Sequence, residues 1–254
     1  MARDIGDLAL FADAMTGVNP RAGLAKTMIP GEFQQTASSA LKPTRVAASL
    51  DLGICDTSAE VGAVFNAALA QLGKDAISIE SAHPDLAMAD AAFDVPRALD
   101  YAQAFGADLE SLRDHIKPEN IWNIEKGLQL ESAEIRASMD AQGQIFNNAS
   151  AFMQDYDLLL CPASITAAFP VEERYPGFGD GLAYSEYYRW LKIVYAITAT
   201  TLPVITLPCG KTSDGLPVGM QLIGKPHGEG QLFAYAAYLE QLFAWDPLQV
   251  IRPV

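Results

Sequence analysis

The hydrophobic and polar positions of this chain follow two periods, one near 3.6 residues and one of two, and the switches between them mark out its elements. Ile5, Leu8, Ala9, Ala12 and Met15 recur at helical spacing behind Asp4, whose carboxylate suits an N-cap, and Gly17 ends the run. Gly31 to Lys42 is polar and predicts a loop. Arg45 to Leu50 predicts a short strand, Ser58 to Leu72 an amphipathic helix and Ala76 to Glu80 a second strand, together a βαβ unit with a parallel pair. Pro84 to Phe105 predicts a helix opened by Pro84 in its first turn and interrupted near Pro96, and Pro118 opens a long helix through Phe152. Asp157 to Cys161, an apolar run behind one aspartate, predicts a fully buried strand. Tyr184 to Thr198 predicts a helix carrying Tyr187, Tyr188, Trp190 and Tyr195, aromatics that read first as core and only as a set as part of a pocket.

Ile197 to Gly224 holds the densest pattern. Pro203 to Cys209 and Pro217 to Ile223 are two strand-like runs, and the connection Gly210 to Gly215 ends in Asp-Gly, so the stretch predicts a β-hairpin. In its second strand Val218, Met220 and Leu222 point one way, and Gly219, Gln221 and Ile223 the other. A glutamine on so apolar a strand needs partners for its amide. The elements predict an α/β fold, a mixed β-sheet flanked by helices, in one domain over residues 1–254.

Length and composition narrow the function classes. With 254 residues, 50% of them hydrophobic, the chain can bury one substantial core. A net charge of −14 argues against a nucleic-acid or anionic-membrane surface, each of which demands clustered Lys and Arg. Cys55, Cys161 and Cys209 are odd in number and widely spaced, which suits reduced thiols and a cytoplasmic location better than a disulfide framework. His83, His115 and His227 show no metal-ligand spacing. No apolar run approaches the ~20 residues that span a bilayer.

The segments LPVITLPCG, DGLPVGMQLIG and the helix GQLFAYAAYLEQLF resemble the C-terminal end of the amidase signature family, in which TGLPAISVPCG, a turn, DGLPVGLQLIG and a helix follow one another. Pro203, Pro208, Cys209, Gly210, Asp214, Gly215, Leu216, Pro217, Gly219 and Gln221 carry the match, while Thr200 and Thr201 depart from the usual Thr-Gly. Met1, Ala2, Arg3 and Asp7 match a mid-chain family segment, so the resemblance implies that this chain begins partway through the family's sequence. Asp157 to Ala163 resembles the family strand that ends beside its substrate cleft. That resemblance implies hydrolysis of a carboxylic amide, with Cys161, Pro162, Ala163, Ser164, Ile165, Tyr195, Thr198, Thr200 and Thr201 as substrate-binding candidates and with no cofactor. The long loop Ser164 to Leu182 fits a cleft wall or lid.

The family's nucleophile chemistry uses a Ser, a cis-Ser and a Lys on a Gly-Gly-Ser-Ser type segment, which this sequence lacks, so no catalytic residue is assigned. Ser39 and Lys42 imitate a Ser-x-x-Lys pair, but Pro43 disfavours a helical Lys42. Gly210-Lys211-Thr212 lacks the first glycine of a P-loop, Gly177, Gly179 and Gly181 lack a flanking strand and helix, and Cys161 or Cys209 with a histidine is a remote Cys-His pair. Partners follow from the same resemblance: a small-molecule amide, neither nucleic acid nor membrane, and either a second copy of the chain or the missing N-terminal half. The competing classes are a non-catalytic remnant or interaction module and, more weakly, an A-type amidotransferase chain.

Overall fold

β3, Leu158–Pro162, is buried along its whole length because both of its edges and both of its faces are occupied. The computed structural model describes residues 1–21, 29–173, 175–176 and 187–243. In chain order these form α1 (Ile5–Met15), α2 (Glu32–Ser38), β1 (Arg45–Ala48), α3 (Ala59–Lys74), β2 (Ser78–Ser81), α4 (Ala89–Phe105), α5 (Leu109–Leu112), α6 (Pro118–Leu128), α7 (Ser132–Phe152), β3, α8 (Lys192–Ala199), β4 (Val204–Lys211), β5 (Pro217–Ile223) and α9 (Glu229–Phe243). The sheet order is β2-β1-β3-β5-β4. β1 runs parallel to β2 and β3, whereas β5 runs antiparallel to β3 and β4, so the sheet is mixed.

Side-chain alternation on these strands feeds two cores. Val46, Ala48, Leu158, Leu160, Met220 and Leu222 face α1, α2, α3 and α9, where they meet Ile5, Phe33, Phe65, Leu72 and Leu232. Ala47, Leu159, Cys161 and Ile223 face α4, α7 and α8, against Ala92, Ile145, Met153 and Ile197. The result is a helix–sheet–helix sandwich, the α/β class that the patterning predicts.

Asp157 fixes the point where β3 begins. Its carboxylate accepts hydrogen bonds from the Thr44 amide at 2.8 Å, the Thr44 hydroxyl at 2.8 Å and the Arg45 amide at 3.0 Å, which joins β3 to the start of β1. Partial burial alone would raise its pKa, but the donors from Arg45 and Thr44 outweigh it and hold the carboxyl below its ordinary value.

Several expectations need correction. The Gly31 to Lys42 stretch is not all loop: it contains α2, because Asp13 reaches from α1 and accepts from the Phe33 and Gln34 amides at 3.1 and 3.0 Å, capping the helix from a distance. Phe33 then packs on Phe233 of α9, ring centroids 4.9 Å apart. α4 starts at Ala89 rather than near Pro84, and it runs through Pro96 without ending. Its packing against α6, α7 and α8 outweighs the cost of one missing backbone hydrogen bond. The single long helix expected from Pro118 to Phe152 is two, divided after Leu128 by a capping box in which Glu131 and Glu134 satisfy each other's backbone. Gly127 allows α6 to approach α4 closely, since a methyl there would lie 2.0 Å from the Ala98 carbonyl oxygen. The start of the helix expected from Tyr184, and Gly177, Gly179 and Gly181, lie outside the described residues. Among the described residues no helix is long and apolar enough to cross a membrane.

The Asp157 clamp gives a pH-dependent expectation. Because its folded-state pKa is depressed, its contribution is full above the ordinary carboxylate value and fades as pH falls through the lower folded value. Asp157→Ala is expected to cost about 2 kcal/mol at neutral pH, where three hydrogen bonds to a charged acceptor are lost. Denaturant melts should show the gap between wild type and variant closing below roughly pH 4, the ordinary range of an aspartate. A gap that is constant from neutral to acid would refute the clamp.

Candidate functional site

A cavity with charged walls opens beyond the C-terminal ends of the parallel strands β1 and β3, where open α/β sheets place their ligands. It encloses about 780 Å³. One side is the loop after β1, Ile54 to Ser58, which leads into α3; the other is the loop after β3, through Ile165, Thr166 and Pro176. Asp90 of α4, Arg189 and Trp190 of the turn before α8, and Lys192 close the far wall. A second cavity of about 270 Å³ adjoins it, with Thr166 and Trp190 lining both, and is walled by Val61, Ala167, Phe169 and Val218. Phe169 meets the Trp190 indole edge to face at 5.7 Å, so the shared wall is an aromatic pair.

Two aspartates one helical turn apart on α4 build the charged wall. The Arg189 guanidinium spans them, Nη1 to Asp90 at 3.1 Å and Nη2 to Asp94 at 2.9 Å. Asp90 also accepts from the Lys192 ammonium at 2.9 Å and the Tyr195 hydroxyl at 2.6 Å, and Asp94 accepts from the Tyr188 hydroxyl at 2.7 Å. Burial would raise the Asp90 pKa, but Tyr195, Lys192 and Arg189 overcome it, so the carboxyl stays below its ordinary value. The same contacts work the other way on the phenols: burial first, then the neighbouring carboxylates, push Tyr195 and Tyr188 upward. Phe93 stacks on Tyr195 at 4.3 Å and 7° and holds the ring in place.

The sequence-predicted residues separate into groups. Ile165 lines the main cavity and Ser164 the smaller one. Tyr195 is buried behind the wall and reaches the cleft through Asp90 and Arg189. Cys161 and Pro162 are buried in β3 beneath it, and Ala163 extends the pairing with its amide on the Gly219 carbonyl at 2.8 Å. Thr198 is exposed in a different hollow, beside Arg97 and Gln142. Thr200 is buried and donates its hydroxyl to Ile197 at 2.6 Å, while Thr201 sits in a left-handed turn at φ 57°. Sequence reasoning missed Asp56, Asp90, Arg189 and Lys192. The signals were there: Asp90 and Asp94 at one-turn spacing, and a loop following the first strand of a βαβ unit.

Chemically the site can bind and orient, but among the described residues it holds no activated nucleophile. Ser58 caps α3, accepting from the Val61 amide at 3.4 Å, and Ser164 donates to the Thr166 carbonyl at 2.7 Å; neither hydrogen-bonds a lysine or histidine. Ser39 ends α2 in solvent, and Lys42 pairs with Asp75 instead, so that pair is not assembled. Burial and the Asp51 carboxylate push the Cys55 thiol up to about 11, burial pushes Cys209 to about 11, and Cys161 lies higher still. Among the described residues no group of three or more His, Cys, Asp or Glu could hold a metal ion.

These thiols make a direct test. At pH 8 a group with pKa about 11 is about one part in a thousand thiolate, against roughly a fifth for an ordinary cysteine. Alkylation of Cys55 in the folded chain should therefore be on the order of a hundred-fold slower than in denaturant. Comparable rates in the two states would show that the thiol is activated after all.

The family described as Amidase matches residues 1–233. An acylamidase of Rhodococcus erythropolis is 25% identical over 247 residues, which is 96% of this chain and 52% of the relative. The A-type chain of the glutamyl-tRNA(Gln) amidotransferase of Xanthobacter autotrophicus is 23% identical over 267 residues, 94% of this chain and 53% of the relative. The solved structure of a 6-aminohexanoate cyclic dimer hydrolase complexed with substrate superposes with a TM-score of 0.80 at 20% identity, covering 96% of this chain and 54% of that one. The chain thus spans about half the length of the relatives it matches.

Proposed function

The chain belongs to the amidase signature family, and on that premise we propose that it forms one wall of the substrate cleft of a carboxylic-amide hydrolase, corresponding to the C-terminal half of the family's fold. The observation that carries this reading is the cleft at the ends of β1 and β3, bounded by the loop after the family-matching strand Leu158–Pro162. The cleft combines apolar faces at Ile54, Ile165 and Trp190 with hydroxyls at Thr57, Ser58 and Thr166, a lining suited to an amide with a hydrocarbon body. Substrate-binding roles fall to Ser164 and Ile165 directly and to Tyr195 through the wall it supports. On this reading turnover draws its nucleophile, proton relay and oxyanion loop from elsewhere, since none is assembled among the described residues.

A non-catalytic member of the family would share this cleft, and the amidotransferase relatives favour a third reading as an A-type amidotransferase chain. The net charge of −14 weighs against contact with tRNA. The decisive assay titrates the 254-residue chain with benzamide and simple aliphatic amides, following NMR shifts and hydrolysis together. Shifts confined to the cleft, with background hydrolysis in wild type, Ser39→Ala and Cys161→Ala alike, are expected. Absence of binding would overturn the cleft, and turnover abolished by either substitution would overturn the assignment of no catalytic residue.

The open edge of β4 supports association. Among the described residues β4 pairs only with β5, and a groove of about 730 Å³ lined by Ile5, Leu8, Val204 and Leu207 runs between it and α1. An unpaired strand edge beside apolar side chains favours pairing with a second copy or with a polypeptide carrying the other half of the fold. Light scattering should report species larger than one chain, and a monodisperse monomer with a cooperative melt would refute this.

A further inference from the structure

Asp56 lines the cleft, is exposed, and has no partner among the described residues, whereas every other charged side chain lining that cavity is engaged. Arg189 is held by Asp90 and Asp94, and Lys192 by Asp90. A carboxylate on a ligand would have to take these cations from Asp90, which already accepts from Arg189, Lys192 and Tyr195. It would also face Asp56 as a like charge. An ammonium group meets Asp56 unopposed, and it finds in the same cavity the indole of Trp190, the ring type that attracts cations most strongly over its face. The net charge of −14 favours the approach of cations in the same sense.

Resting on the reading of this cavity as an amide cleft, we propose that it selects amides carrying an ammonium group, the class of amino amides, over neutral and carboxylate-bearing counterparts. Asp56 is the specificity-determining side chain, and the closed Asp90–Arg189–Asp94–Lys192 cluster is what makes it so, because that cluster removes the cations that would otherwise reverse the preference. Asp56 touches no reacting bond and sets only which substituent enters.

The test uses three probes of one shape: benzamide, 4-(aminomethyl)benzamide and 4-carbamoylbenzoate, titrated calorimetrically into the 254-residue chain. At low ionic strength the aminomethyl compound should bind about five-fold tighter than benzamide, the scale of an exposed ion pair, and the carboxylate more weakly than benzamide. Asp56→Asn should bring the ratio of aminomethyl to neutral ligand close to one, while Asp140→Asn, an exposed carboxylate on α7, should leave it at the wild-type value. In wild type the ratio should also collapse as salt rises toward about 1 M, where screening acts within about 3 Å, a readout that needs no variant. Equal binding of all three probes, or an unchanged ratio in Asp56→Asn, overturns the charge preference and leaves the amide cleft standing. Failure of all three to bind overturns the cleft itself.

Discussion

The amide of Gln221 is a buried polar group on the central sheet, and its demand for partners ties three segments together. Its side chain lies 4% exposed on β5, with Nε2 donating to the Pro162 carbonyl at 3.1 Å and the Ile193 carbonyl at 3.2 Å. An amide taken from water without such partners costs a few kcal/mol, so the three segments that supply and satisfy it are held to one arrangement. Pro162 ends β3, Gln221 sits in the antiparallel partner strand, and Ile193 lies in the first turn of α8. A slip of one residue in β5 would turn Gln221 into the opposite core, among Leu158, Leu160 and Leu232, where nothing could receive it. The docking of α8 in turn carries Arg189, Lys192 and Tyr195 to the cleft. A hydrogen bond on the sheet thereby sets the position of charged side chains outside it.

The charged wall is rigid for a related reason. Each aspartate of the pair on α4 receives donors from two or more side chains, and the aromatic rings of Phe93, Tyr188 and Tyr195 leave those donors little freedom. Removing one member would strand its partners in a half-buried setting, so the group behaves as a unit. The cleft therefore offers a ligand a fixed electrostatic surface in which Arg189 and Lys192 are already held by the counterions of their own scaffold.

Much of this was legible in the sequence because it depends on local periodicity. The buried run Leu158 to Cys161, the hairpin signalled by Asp214-Gly215 and the isolated Gln221 each carried their own explanation, and the structure pairs them as the alternation requires. What local patterning could not show are contacts made at a distance. α2 exists because Asp13, twenty residues away from Phe33, supplies the cap. α4 survives Pro96 because neighbouring helices hold it. The cleft was half visible: the loop after β3 was marked, but the wall facing it comes from α4, whose aspartates look like ordinary solvated charges until Arg189 is placed across them. The break before α7 was readable in Glu131 and Glu134, and it was hidden by a helical period that continues on either side.

β3 pairs with β1 across more than a hundred positions of chain, and Asp157 meets Thr44 at a separation of 113. Closing so long a loop has to precede any return from the contacts it makes, which places this protein among the slow, topologically non-local folders. On a ribosome the β1–α3–β2 unit emerges well before β3 and waits, its apolar edge at Val46 and Ala48 uncovered, until Leu158 to Leu160 have been synthesised. During that interval the nascent chain presents an open parallel strand to its surroundings, an aggregation-prone edge whose exposure is set by the length of chain still to be made and that the stability of the finished sandwich does nothing to shorten.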